Sequence, residues 1–227
     1  MNASFLVTIL LIAPAVVVAI TLHEAAHGYV ARHFGDHTAE ERGRLTLNPL
    51  KHVDLFGTII LPAALLLLNA GFVFGYAKPV PVNFAALRNP KRDMVWVAAA
   101  GPATNLALAT ASFLLLFPAM LLGAQGAHWA GLVLFNSIAI NLVLALLNMI
   151  PIPPLDGGRV AVGLLPNALA MPLAKVGRYG FLILILLLVV LPDVGKQLGV
   201  DLSLFNWLVD RPVDYLMGLI DAVAPHA

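Results

Sequence analysis

Long stretches without charge constrain this chain more than any motif does. Counting only Asp, Glu, Lys and Arg, residues Met1–Leu22, Leu55–Ala77, Met94–Leu155 and Tyr179–Pro192 carry none. A helix rises about 1.5 Å per residue and a bilayer's hydrocarbon core is roughly 30 Å thick, so about 20 residues make one crossing. The third stretch is therefore read as two crossings, separated at Gly123–His128, where glycines and a polar cluster interrupt the apolar run. The fourth is short and needs Arg178 to snorkel if it is to complete a crossing. Sixty per cent of the 227 residues are hydrophobic and 11% are charged, and a soluble domain of that size has no interior able to hold these runs. The expected architecture is a mostly α polytopic membrane bundle of about five spans, forming one integral membrane domain over 1–227.

A net charge of +1 leaves no footprint for nucleic acid, and the expected surroundings are a lipid bilayer. The chain has no cysteine, which excludes disulfides, thiolate metal sites and thiol nucleophiles. Met1–Ala19 lacks a basic start and runs without a break into Thr21–His27, so it is read as a span and not as a cleaved signal peptide.

His23-Glu24-Ala25-Ala26-His27 places two histidines at i and i+4, one turn apart on a helix and about 40° apart around it, so both imidazoles can reach one ion. Glu24 is near enough to touch a metal-bound water without being a ligand, the arrangement of a zinc hydrolase. These groups fall at the end of an apolar helix, where an unpaired ionisable side chain is costly. Two histidines leave a tetrahedral zinc short of a protein ligand. Asp156 is the best candidate for it: it is the first acidic residue after the charge-free run 94–155 and follows the proline-rich break Pro151-Ile-Pro-Pro154. On local grounds alone, an aspartate that simply caps a turn before Gly157-Gly158 explains Asp156 equally well.

The motif His23–His27, together with Ala100-Gly-Pro-Ala-Thr-Asn105 and Asn148–Gly158, which matches Asn-x-x-Pro-x-x-x-Leu-Asp-Gly, resembles the site-2 proteases, intramembrane zinc metalloproteases. Gly43–Pro49 and Phe74–Asn83 resemble the short bacterial branch without a PDZ insert. The resemblance implies that His23, His27 and Asp156 hold one Zn2+ per chain and that Glu24 is the general base. It implies that Asn148 holds the substrate backbone, with Asn105 a further candidate for substrate binding. A catalytic core is expected over about 5–160, followed over 161–227 by an additional span and an amphipathic C-terminal segment. Its substrates would be transmembrane proteins or peptides, and the work regulated intramembrane proteolysis.

Topology follows from the basic residues. Eleven of the thirteen fall in three groups, residues 32–51, 78–92 and 159–178. The positive-inside rule places all three in the cytoplasm, with the N-terminus outside and the metal site toward the cytoplasmic side of the cell membrane. Leu55–Ala77 must then cross an even number of times and is too short to do so twice as helix. A re-entrant hairpin broken near Pro62 and Asn69 is expected, with a single full crossing as the other reading. Val80–Asn83, β-branched and proline-rich, cannot be a regular helix. In the family this region forms strands, so a short β element near the metal site is expected, with Val82 on an edge that pairs with extended substrate. In the tail, Ser203, Asn206, Asp210, Asp214 and Asp221 fall on one helical face, opposite Leu204, Phe205, Leu208, Leu216, Leu219 and Val223. Pro212 should split this segment, which lies at the outer interface or packs on the core, a sixth crossing being the other reading.

The remaining histidines weigh less. His33 and His37 share i, i+4 spacing in a charged loop and are read as solvated; His52 beside Asp54 could orient a zinc ligand; His128 and His226 are read as surface residues. Ser112 and Ser137 have no partners for a serine mechanism. Two other functions compete with proteolysis. A membrane metal-ion transporter explains the ligands but leaves Glu24 without a role, and an inactive membrane scaffold requires a lost motif residue where none is lost.

Overall fold

The computed structural model describes residues 3–67 and 75–225. Its elements are helices: α1 (Ala3–His33), α2 (Thr38–Glu41), α3 (Leu61–Leu67), α4 (Pro90–Ala119), α5 (Gly123–Asn148), α6 (Asp156–Leu164), α7 (Asn167–Val176), α8 (Gly180–Ile185), α9 (Leu191–Leu198) and α10 (Arg211–Val223), joined by short helical turns.

Small residues let α1 approach α4. Ala15, Ala19, His23, His27 and Ala31 recur every fourth residue, share one face and are all buried. The facing stripe of α4 runs through Val97, Gly101 and Asn105. Gly101 sits where the helices are closest: a Cβ there would meet the ring atoms of both His23 and His27 at 2.5 Å. The histidines thus lie within a helix–helix seam.

α4 and α5 form an antiparallel hairpin. Asn105 bonds Asn141 at 2.9 Å and Ser112 bonds Ser137 at 2.8 Å, the two helices running in opposite directions from one turn. The break is made by the turn Met120–Leu122 and by Gly123 at φ +73°, a conformation that favours glycine. Residues 124–128, expected in the break, already belong to α5.

By length and apolarity, Leu11–His33 and the 59-residue run Pro90–Asn148 can cross a bilayer. The second is folded back on itself into α4 and α5, of 30 and 26 residues. A bent pair, Asn167–Tyr179 and Leu182–Leu198 at 78°, is apolar and long enough only if taken together. These stretches are fewer than the five or so spans expected.

The burial pattern inverts that of a soluble domain. His23, His27, Asn105, Ser112, Asn141 and Asp156 are buried, while Val17, Val18, Leu114, Leu115, Leu182 and Leu186 face outward.

Three further expectations are corrected. Proline does not break the helices at 62 or 212. Each follows a widened turn, Leu55–Ile60 before Pro62 and Asn206–Asp210 before Pro212, as does Pro192 after Leu186–Val190. A widened turn moves aside the carbonyl with which the proline ring would clash, so the helix continues. Asn69, the other expected break, lies outside the described residues, as does His226. Second, among the described residues there is no β-strand; 75–83 is neither helix nor ladder. Third, the tail helix buries Val209 and Val213, with Phe205, Leu216, Met217 and Ile220 half-buried, against Ala109, Leu116, Ile138 and Leu142 of the hairpin. Leu208, Leu219 and Val223, expected on the same apolar face as Leu216, are exposed.

The excursion after α2 closes on itself. The Tyr76 amide donates to the Gly57 carbonyl at 3.0 Å and the Thr58 hydroxyl to the Tyr76 carbonyl at 2.9 Å, so the chain returns beside the point where it left.

Candidate metal centre

Three ligand atoms from two elements meet in the seam. His23 Nε2 and His27 Nε2 lie 3.1 Å apart, and each lies 3.2 Å from Asp156 Oδ2. Zinc bonded to nitrogen and oxygen at roughly 2.0–2.1 Å in a tetrahedron requires ligand atoms about 3.3–3.4 Å apart, so a near-equilateral triangle of this size fits it and leaves a fourth position open. All three residues are buried. One anionic carboxylate and two imidazoles form a donor set suited to zinc.

The other ring nitrogen of each histidine is already engaged. His27 Nδ1 donates to the Val97 carbonyl at 2.7 Å and His23 Nδ1 to Asn105 Oδ1 at 2.5 Å, which leaves both Nε2 lone pairs facing Asp156.

Asp156 is the first residue of α6. The break 149–155 brings it there, and two glycines let the chain pass: a Cβ on Gly157 would run into the Met149 and Ile150 carbonyls, and one on Gly158 into the backbone of Ile152 and Pro153. Asp156 is a buried ligand candidate and not merely a turn cap. Its second oxygen, Oδ1, accepts from Arg159 at 3.3 Å.

A cavity of about 440 Å3 opens on the triangle. Glu24 lines it, half-buried, with Oε2 accepting the Val80 amide at 2.7 Å. Asn148, Val82, Phe84 and Arg159 line it too. The carboxamide nitrogen of Asn148 donates to the Leu144 carbonyl at 2.9 Å.

The segment expected to be a strand edge has its polar groups committed elsewhere. The Lys78 amide bonds the His52 carbonyl at 2.8 Å, the Val80 amide bonds Glu24, and the Asn83 amide bonds the buried Asp36 carboxylate at 2.6 Å. Arg44 donates to the Lys78 carbonyl at 2.9 Å. Pro79 and Pro81 have no N–H to offer, so no ladder forms.

A protein of Bacillus subtilis named "Putative zinc metalloprotease YwhC" is 45% identical over 180 residues, 76% of this chain and 77% of that one. The chain belongs to the site-2 protease family. "Putative zinc metalloprotease Rip2" of Mycolicibacterium smegmatis is 35% identical over 177 residues, and this chain covers 63% of its length. "Putative zinc metalloprotease MJ0611" of Methanocaldococcus jannaschii matches a shorter piece, 47% identical over 66 residues. No family model and no solved structure matches the chain. It is a zinc metalloprotease by kinship, and zinc is the metal its ligand geometry accepts.

Within this site-2 protease, some sequence expectations change. Asn105, expected as a substrate contact, is fully buried and its carboxamide bonds the ring of His23. His52 touches neither metal-site histidine, its Nε2 donating to the Thr46 carbonyl at 2.9 Å. His37 pairs with Glu40 at 3.0 Å, which holds the Glu40 carboxyl below its usual range, and His33 packs edge-on to Phe34. Among the described residues, His23, His27 and Asp156 are the one cluster able to hold a metal. Ser112 and Ser137 bond each other. Asn141, Arg159 and the Val80 amide were missed. Asn141 had a signal, a carboxamide deep in a charge-free run; Arg159 had one in its place a helical turn beyond Asp156.

Proposed function

We propose that this protease cleaves membrane-spanning segments of protein or peptide substrates within the bilayer. The carrying observation is that two corners of the ligand triangle, His23 and His27, and Glu24 on the same cavity belong to the apolar run Leu11–His33, and that Asp156 meets them there. A site built there meets substrate at membrane depth.

His23, His27 and Asp156 would hold the zinc. Bound there, it supplies Lewis acidity that lowers the pKa of water to about 7 and polarises the scissile carbonyl. Glu24 takes the proton of the attacking water and passes it to the leaving amine. Asn148 and the wall formed by Val80 and Val82 bind the substrate in an unwound, extended form, because a helical substrate keeps its carbonyls bonded.

The whole chain, 1–227, acts as one integral membrane domain with about five crossings, its N-terminus outside and its site open to the cytoplasm. Hydrogen bonds between 57–58 and 76 support a re-entrant reading of Leu55–Ala77, since a segment whose ends meet returns to the side it entered from. The test is Glu24→Gln in reconstituted membranes with an inserted substrate. Zinc content should stay at one per chain while cleavage is lost; cleavage at the original rate would refute the mechanism.

A further inference from the structure

The two histidines are oriented by unequal means. His27 Nδ1 faces a backbone carbonyl, that of Val97 at 2.7 Å, which can only accept, so the ring must carry its hydrogen there. His23 Nδ1 faces the side-chain carboxamide of Asn105, which could present either end. If its nitrogen faced His23, the ring hydrogen would move to Nε2, the atom aimed at Asp156, and the lone pair needed by a metal would be lost.

What fixes Asn105 lies two residues further into the bundle. Asn105 Nδ2 donates to Asn141 Oδ1 at 2.9 Å and only at 3.5 Å to the Ala19 carbonyl, so Asn141 is its main acceptor, and Asn141 Nδ2 donates to the Ser137 carbonyl at 2.9 Å. That carbonyl can only accept. Asn141 must therefore turn its nitrogen toward Ser137 and its oxygen toward Asn105, and Asn105 must give its nitrogen to Asn141 and its oxygen to His23. Asn105 is fully buried and Asn141 is 2% exposed, so water cannot relieve a reversed amide. The Ser137 hydroxyl, 2.8 Å from that of Ser112, also meets Asn141 Nδ2 at 3.4 Å, but a hydroxyl can donate or accept and so does not by itself set the direction.

We propose that Asn141 is a positioning residue for the metal: through Asn105 it holds His23 in the form whose Nε2 lone pair faces the ion. The residue lies on α5, which supplies no ligand, and acts across 118 positions of sequence from His23 to Asn141. This proposal rests on the zinc-protease reading of the site.

The test is zinc affinity, measured on the full chain in lipid nanodiscs by competition with a chelator of known affinity. Asn141→Leu keeps the shape of the side chain and removes both polar ends; it should weaken zinc about 10- to 100-fold. Asn141→Asp, whose neutral acid form carries one acceptor and one donor in the same places, should recover most of that loss. Ser112→Ala should bind zinc as the unsubstituted protein does. In the zinc-free full chain, nitrogen NMR should find the His23 hydrogen on Nδ1, and on Nε2 in a substantial fraction of Asn141→Leu. Equal zinc affinity for Asn141→Leu and the unsubstituted protein would overturn the positioning role while leaving the protease reading intact. Should Asn141→Leu not fold, a His23 hydrogen found on Nε2 in the unsubstituted chain would overturn it instead. Failure of the unsubstituted chain to bind zinc at all would overturn the protease reading itself.

Discussion

The Val80 amide donates to the Glu24 carboxylate at 2.7 Å, joining α1 to a segment 56 residues away. The wall proposed to bind substrate thus also aims Glu24, the proposed general base. A hydrogen bond to a charged group contributes about 1.5–3 kcal/mol. Val80→Pro removes the donor and should lower kcat about 10- to 100-fold with zinc retained, whereas Val80→Ala keeps the amide and should stay within a few-fold. Steady-state cleavage of an inserted substrate checks both; equal kcat for the two variants would show that the amide does not matter.

Gly101 is required by the closeness of α1 and α4. In Gly101→Ala the new methyl would lie on both imidazoles, so stoichiometric zinc and activity should be lost, with a destabilisation of roughly 1–3 kcal/mol from overpacking. Gly131 and Gly218 have open space around them, and alanine there should be neutral or stabilising by up to about 1 kcal/mol. Metal analysis and thermal unfolding in nanodiscs separate the cases.

Removing zinc should loosen the junction of α1 and α6, because the ligand triangle joins them through one ion. Zinc at about 100 times its dissociation constant stabilises the folded state by roughly 2.7 kcal/mol, so a chelator should lower Tm by several degrees. His23→Ala should show almost no chelator effect. A large shift in His23→Ala would mean that the chelator acts elsewhere.

Asp36 is 1% exposed and its carboxylate accepts the amides of Thr38 and Asn83 at 3.0 and 2.6 Å. Asp36→Ala leaves both donors unmet, at a cost of about 1–3 kcal/mol each, and should release the segment at 83. Faster proteolytic nicking between 75 and 90, with zinc still bound, is the expected result.

The chain has no native cysteine, so single cysteines report topology cleanly. Residues 78 and 88 should be labelled by an impermeant reagent only from the cytoplasmic side. Ready labelling of either from outside would replace the re-entrant reading of 55–77 with a full crossing.

Much of this protein is legible in its residues alone. Charge-free runs and helical spacing mark the long apolar helices, and His23-Glu24-x-x-His27 marks two candidate ligands and a candidate base, because both depend on neighbours within one or two turns of backbone. Asp156 could be guessed as the third ligand, yet whether it capped a turn or reached the histidines depended on how α6 packs beside α1. The motif around Asn105 does not say which way its side chain faces; only the close approach of α1 and α4 at Gly101 aims it at His23. The strand expected at 80–83 failed for a similar reason: the residues favour extended backbone, but Glu24, Asp36 and Arg44, brought in from α1 and the loop after it, claim the groups a ladder would use. Local sequence determines what each group can bond, and tertiary structure decides which partner arrives, because at buried positions every donor and acceptor must be met by whichever element packs against it.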